Sequence, residues 1–325
     1  MPIWSEILAE LEGSRQQGVP DFFDGVRRKY LLQLYRHTGR NVILYASGWQ
    51  QKSEAPGAAM LIGDEDIHAL MEVTHGLQGS NLDLILHSPG GSPEAAEAIV
   101  SYLRSRFSHI RVIVPNLAMS AATMISCAAD EIVLGKHSFL GPTDPQILLL
   151  TSLGARLVPA QAVLDQFDKA QKECADPGKL STWLPMLSQY GPDLLVRCEV
   201  ALAMSKELVK TWLEAYMFNA EEDGQQKAEA ISKWFAKHQN FKSHSRHISR
   251  DDLEDQGLVV TRLENDEKLQ DASLSVFHAT THTFTGTPAV KIVENQTGRA
   301  FIKHHAPPQM PPGFQIDLMP NQPPV

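Results

Sequence analysis

The chain has 325 residues, 43% hydrophobic and 21% charged, enough to bury one sizeable core with satellites around it. Lys and Arg total 29 against 38 Asp and Glu, a net charge of −9 with a pI of about 5.8. That balance argues against nucleic acid as a main partner, since phosphate-backbone binding draws on excess cation. The cysteines Cys127, Cys174 and Cys198 are odd in number and lack paired spacing, which excludes a disulfide framework and fits a reducing cytoplasm.

Residues 1–38 read as a helical arm broken at Gly18–Pro20. Its start, MPIWSEILAELEGSRQQ, is acidic and amphipathic and carries neither the basic region nor the apolar core of a secretory signal. NVILYAS, ending at Ser47, predicts the first strand of a sheet, and Asp64 to His75 a helix. Leu82, Leu84, Ile85 and Leu86 make a nearly continuous apolar run, as do Ile110, Val112, Ile113 and Val114. Such runs suit strands covered on both faces, as in a parallel sheet. Between them Ala96, Ile99, Leu103 and Phe107 keep helical spacing. The βαβ unit then repeats: a helix runs from Ser120 to Ala129, and Ile132-Val133-Leu134 forms a short strand. No apolar run reaches the roughly 20 residues of a membrane-spanning helix. The best candidate, Val112 to Leu134, is broken by Pro115, Asn116 and Asp130, so membrane association is not indicated.

Two features of this repeat carry chemistry. Gly90-Gly91 closes the first strand, and Ser120 opens a small-residue helix after the second. Right-handed crossovers place both turns at the same edge of a parallel sheet, where α/β ligands bind. A serine hydroxyl there meets free backbone N–H groups, the layout of a nucleophile beside an oxyanion hole. Each feature alone has a plainer reading, a tight turn and a helix N-cap; their pairing one βαβ unit apart favours the chemical one.

HSPGGS, AMSAATMISCAADEIVLGKHS and LGPTDPQ resemble the serine dehydrogenase proteinase family, relatives of bacterial signal peptide peptidase within the ClpP/crotonase superfamily. RRKYLLQLYRHTGRNVILYAS, SKELVKTWLEAYMF and HSRHISRDDLEDQGL extend the resemblance over residues 4–305. It implies an α/β fold: a ClpP/crotonase-like spiral of ββα units with a helical N-terminal arm and helical C-terminal additions. It implies Ser120 as nucleophile, with Gly91 and Ala121 supplying oxyanion-hole amides and Gly90 enabling the turn. It also implies a homo-oligomer acting on peptide or protein. No nucleotide cofactor is expected, because no GxGxxG follows a strand.

The segment matching the ClpP histidine motif, Gly141 to Gln146, holds no histidine, so a ClpP-type triad is not expected. Signal peptide peptidase relatives use a lysine from a later element. Lys169 and Lys172, about fifty residues after Ser120, are candidates on the helix PAQAVLDQFDKAQKECA. Lys169 flanks that helix's apolar stripe of Val163, Phe167, Ala170 and Cys174, and Lys172 lies nearly opposite it. Lys169 is the first choice, followed by Lys172; Lys136, Lys206 and Lys210 stay open, as does the absence of any lysine base. A lysine serves only if its pKa is depressed. His137 reads as a turn residue and Asp144 as a turn residue that could also line the cleft. His244, His247, His278 and His282 have metal-like spacings but no completing partners, so they read as surface histidines and no metal is expected.

The domain reading is an arm at 1–38, a peptidase domain at 39–260 with a helical insert about 159–238, a β-containing extension at 261–305 with runs such as SLSVFHA, and a Pro-rich tail at 306–325. Trp183, Trp212 and Trp234 are expected packing anchors. Leu194 to Phe218 is apolar on most faces, a mark of burial between subunits or against the core. Ser249 with Asp252 forms a capping box, and Gly257 ends that helix. The reading is a serine peptidase working through an acyl-enzyme on Ser120. Its alternatives are a crotonase-like acyl-CoA enzyme and a non-catalytic oligomeric scaffold of the same fold.

Overall fold

The computed structural model describes residues 3–151 and 154–305. Helices α1 (Trp4–Gln16) and α2 (Phe22–Thr38) come first, separated by the Gly18–Pro20 break. Then follow β1 (Asn41–Ser47), α3 (Asp66–Thr74), β2 (Asn81–His87), α4 (Pro93–Arg106), β3 (His109–Val114), the short β4 (Leu117–Ala118), α5 (Ala121–Cys127), β5 (Glu131–Leu134) and the short β6 (Phe139–Leu140). A hairpin, β7 (Gln146–Thr151) and β8 (Gly154–Pro159), leads into α6 (Ala160–Glu173), α7 (Pro177–Leu187) and α8 (Leu194–Trp212). The last part holds α9 (Gly224–Ala236), α10 (His238–Phe241), β9 (Ile248–Ser249), α11 (Arg250–Asp255), β10 (Val260–Arg262), α12 (Glu267–Gly286), β11 (Ala289–Asn295) and β12 (Ala300–His304).

The fold is mixed α/β around a seven-stranded sheet in the order β10-β5-β3-β2-β1-β11-β12. β1, β2, β3, β5 and β10 are parallel; β11 and β12 add antiparallel at one side. Side chains alternate faces along each strand. Leu84, Val112 and Ile132 join the core under α3, α4, α5 and α9, while Ile85, Ile113 and Val133 join the one under α2 and α12. Burial on both faces accounts for the unbroken apolar runs. A second small sheet, β4-β6-β9, sits beyond the ends of β3 and β5.

One expectation changes. SLSVFHA is not a strand; it lies in α12. Its hydroxyls return to the helix backbone, Ser273 Oγ to Leu269 O (2.5 Å) and Thr280 Oγ1 to Val276 O (2.7 Å), so a Ser/Thr-rich helix can be buried. β11 and β12 complete the central sheet beside β1. The Pro-rich tail at 306–325 lies outside the described residues. The capping box at Ser249 and Asp252 opens α11 as expected. No helix among the described residues is long and apolar enough to cross a membrane.

Candidate active site

The βαβ repeat brings Gly91 and Ser120 to one sheet edge. β2 and β3 pair in parallel, from Asn81 with His109 to Ile85 with Ile113, so their following turns emerge side by side. Ser88 and Ala118 bridge those turns: Ser88 N donates to Leu117 O (3.1 Å) and Met119 N to Ser88 O (3.0 Å). Gly90 then packs on the serine turn. A Cβ at Gly90 would stand 2.6 Å from Met119 O and 2.7 Å from Ser120 Cβ, and φ is +98°, so only glycine fits without movement.

Gly91 is fixed from its other side. Ile62 N donates to Gly90 O (2.8 Å) and Ser92 N to Ile62 O (3.0 Å). In that parallel bridge the groups flanking Gly91 bind Ile62, so the Gly91 N–H points away from it. A Cβ on Gly91 would meet Ile62 backbone at 2.3 Å. The Gly90 N–H is engaged by Ser88 Oγ (3.2 Å). Neither the Gly91 nor the Ala121 N–H has a protein acceptor among the described residues.

Ser120 occupies the first central position of a tight turn closed by Ala122 N donating to Met119 O (2.9 Å), with φ 53° and ψ −118°. That conformation belongs to glycine in ordinary turns. Ser120 makes no cap bond to α5, and its half-buried hydroxyl is unpaired among the described residues. The N-cap explanation of Ser120 therefore fails, and a strained, unengaged serine is a functional signal.

Gly91, Ser120 and Ala121 line a cleft of about 610 Å³. Leu61, Met124, Thr143, Ile147, Met204 and His244 are among the other residues that line it. The volume is in the range of small-ligand sites, and the lining is mostly apolar.

The lysine expectation does not match the placement of Lys169. Its side chain is 67% exposed on α6, 3.9 Å from Glu173, and it does not line the cleft. Lys172 and Lys206 are exposed and also absent from the cleft wall; Lys136 is exposed, its backbone N–H on Glu264, and Lys210 pairs with Glu229 at 2.8 Å. The apolar stripe of α6 is buried as predicted at Val163 and Ala170, and Val163 packs with Cys198 and Leu202 of α8.

Two residues given a bland reading are built into this site. Asp144 is almost fully buried and accepts from His244 Nδ1 on Oδ1 (2.8 Å), and from His238 Nδ1 (2.8 Å) and Gln146 Nε2 (3.2 Å) on Oδ2. His244 is thus not a loose surface histidine. His247 stacks on Phe139 and His282 on Trp4, and no metal-binding group of three appears among the described residues. His137 lies in the turn after β5, as expected. The contact missed from sequence joins residues 100 positions apart; its only local trace is an aspartate inside the LGPTDPQ segment. Beside Asp144, Thr143 lines the same cleft, and its buried Oγ1 has no hydrogen-bond partner among the described residues.

Comparison with known proteins adds a family. Residues 60–180 match the family model described as ClpP-like SDH-type serine proteinase. The chain is similar to Uncharacterized protein MJ0137 of Methanocaldococcus jannaschii, 47% identical over 66 residues, which is 20% of this chain and 23% of that one. It is also similar to Uncharacterized protein MJ1495 of the same organism, 36% identical over 95 residues, 29% of this chain and 30% of the relative. These matches span less than a third of the length of either curated relative.

Proposed function

We propose, from the match of residues 60–180 to the ClpP-like SDH-type serine proteinase model, that the protein hydrolyses peptide bonds through an acyl-enzyme on Ser120. The observation that carries this reading is the unengaged Ser120 hydroxyl, held in a strained turn, lining the same cleft as the acceptor-free amides of Gly91 and Ala121. As the Ser120 oxygen attacks a carbonyl carbon, negative charge develops on the carbonyl oxygen. Donors already fixed by the Ile62 bridge and the start of α5 stabilise it without reorganising. The apolar walls suit the side chains of an extended peptide.

An acyl-CoA enzyme of the same fold is less well supported. Arg197 is the lone Lys or Arg among the described residues lining the cleft, and it pairs with Asp193 (3.2 Å). A polyphosphate-bearing ligand would want more cation.

Exposed leucines on the β7-β8 hairpin, Leu150 at 73% and Leu157 at 68%, support assembly as a homo-oligomer, with the hairpin beside the cleft at a subunit boundary. Light scattering at micromolar concentration should show a multimer, and a monomer would count against assembly.

The test of function is a fluorophosphonate probe. The native chain should be modified once, at Ser120, and Ser120→Ala should resist. Absence of labelling at Ser120 would overturn the peptidase reading.

A further inference from the structure

We propose that His244, oriented by the buried carboxylate of Asp144, is the proton acceptor and donor for Ser120; the proposal rests on the peptidase reading above. Among the described residues, three titratable side chains line the cleft: Glu94, Arg197 and His244. Arginine stays protonated and cannot accept a proton. Glu94 is exposed and already accepts from Ser92 Oγ (2.6 Å). His244 is of a different kind.

The carboxylate of Asp144 is acceptor-only, so the His244 nitrogen facing it at 2.8 Å, Nδ1, must carry the hydrogen. In the neutral ring this leaves the lone pair on Nε2, the atom at the far side of the ring from Asp144. His244 is about one-quarter exposed and lines the cleft that holds Ser120. The opposite oxygen of Asp144 is held by His238 and Gln146, so the carboxylate cannot rotate away. His238 grips the same carboxylate but does not line the cleft; it is a positioning residue. Ser120 and His244 are not hydrogen-bonded in this structure. His244 sits in the turn between α10 and β9, and catalytic hydrogen bonds that are open without substrate commonly tighten when it binds.

The proton path balances. Ser120 Oγ bonds to the substrate carbonyl carbon while its proton passes to His244 Nε2. The carbonyl π pair becomes the oxyanion held by the Gly91 and Ala121 N–H groups. On collapse the C–N bond breaks, and the Nε2 proton goes to the leaving nitrogen. Water then adds to the acyl carbon, giving a proton to Nε2; the ester C–O bond breaks, and that proton returns to Ser120 Oγ. The imidazolium formed in each half-reaction faces Asp144, whose charge offsets it.

The experiment measures the rate of fluorophosphonate labelling at Ser120 in the full chain, where His244 would take the proton as the Oγ–P bond forms and fluoride leaves. His244→Ala and His244→Gln should each slow labelling by about 10²–10⁴-fold. Free imidazole should restore part of the rate in His244→Ala but not in His244→Gln, whose side chain fills the space. A merely structural role would show no such rescue. Asp144→Asn should also slow labelling, and His238→Ala should slow it less than His244→Ala does. Folding of every variant is checked by circular dichroism and thermal melting. If Ser120 labels at the native rate in folded His244→Ala or in His244→Gln, this assignment is overturned while the Ser120 reading survives. If native Ser120 does not label at all, both fall together.

Discussion

Gly90 and Ser120 are locked together: a single added carbon on Gly90 would lie 2.7 Å from the serine Cβ, and 2.6 Å from the Met119 carbonyl that closes the serine's turn. The turn following one strand therefore sets the position of the serine following the next.

Gly90→Ala should move Ser120 rather than unfold the protein. Overpacking against backbone costs about 1–3 kcal/mol, within reach of a native fold. A displacement on the order of an ångström at the reacting atom costs about 100-fold in rate. Labelling of Ser120 should fall by that order while circular dichroism is unchanged. Native-rate labelling in Gly90→Ala would mean that the glycine does not position the serine.

The loop that braces Gly91 depends on a buried charge pair. Lys291 Nζ donates to Asp66 (2.8 Å) and to Leu61 O (2.7 Å), while Tyr45 Oη (2.7 Å) and Gly63 N (2.9 Å) also bind Asp66. Both charged partners are buried. Lys291→Met leaves Asp66 without its cation, at a cost of about 3–5 kcal/mol, and frees Leu61 next to Ile62. Urea unfolding should show that loss, and Ser120 labelling should slow with it. A change under about 1 kcal/mol would show that the loop does not depend on this pair.

Acid should weaken the fold through His87. Its ring lies 4.2 Å from the Trp49 ring and 4.8 Å from Phe277, and Nδ1 accepts from Leu117 N (3.4 Å), leaving Nε2 buried without a partner among the described residues. Burial pushes its pKa down to about 3, against an ordinary value of 6.5. The folded chain keeps the ring neutral where the unfolded chain protonates it. This contribution is complete above about pH 6.5 and falls by up to about 1.4 kcal/mol per pH unit down to about pH 3. His278, lowered to about 4 first by burial and then by His282 and His137, adds in the same window. His87→Phe keeps an aromatic stack and removes one titration. Its unfolding free energy should drop less than the native protein's between about pH 6.5 and pH 4.5 in urea titrations. Equal slopes would place the acid sensitivity elsewhere.

Lys169→Ala should leave labelling within about twofold and stability within about 0.5 kcal/mol, as for an exposed side chain whose one ion pair is 3.9 Å long. A loss of labelling in a folded Lys169→Ala would return the role of base to a lysine.

The strands and turns that carry Gly91 and Ser120 were legible because their signals are local: apolar runs of strand length, a glycine pair and a small-residue helix. The nature of α12 was hidden because Thr280, Thr281 and Thr283 favour strand locally, and only the back-bonding hydroxyls reveal how the helix tolerates them. The pairing of Asp144 with His244 could not be read at all. Nothing near either residue encodes the chain path through α6 to α10 that brings them together, whereas Lys169 was chosen by spacing along the chain, which carries no information on direction in space.

On the proposed role of Ser120, its φ of 53° sets activity against durability. A side chain in that region costs on the order of 1–3 kcal/mol, and glycine would relieve most of it. A library selected only for survival of heating, with no demand on turnover, should accumulate Ser120→Gly: the most heat-resistant clones would be the ones that had discarded the hydroxyl.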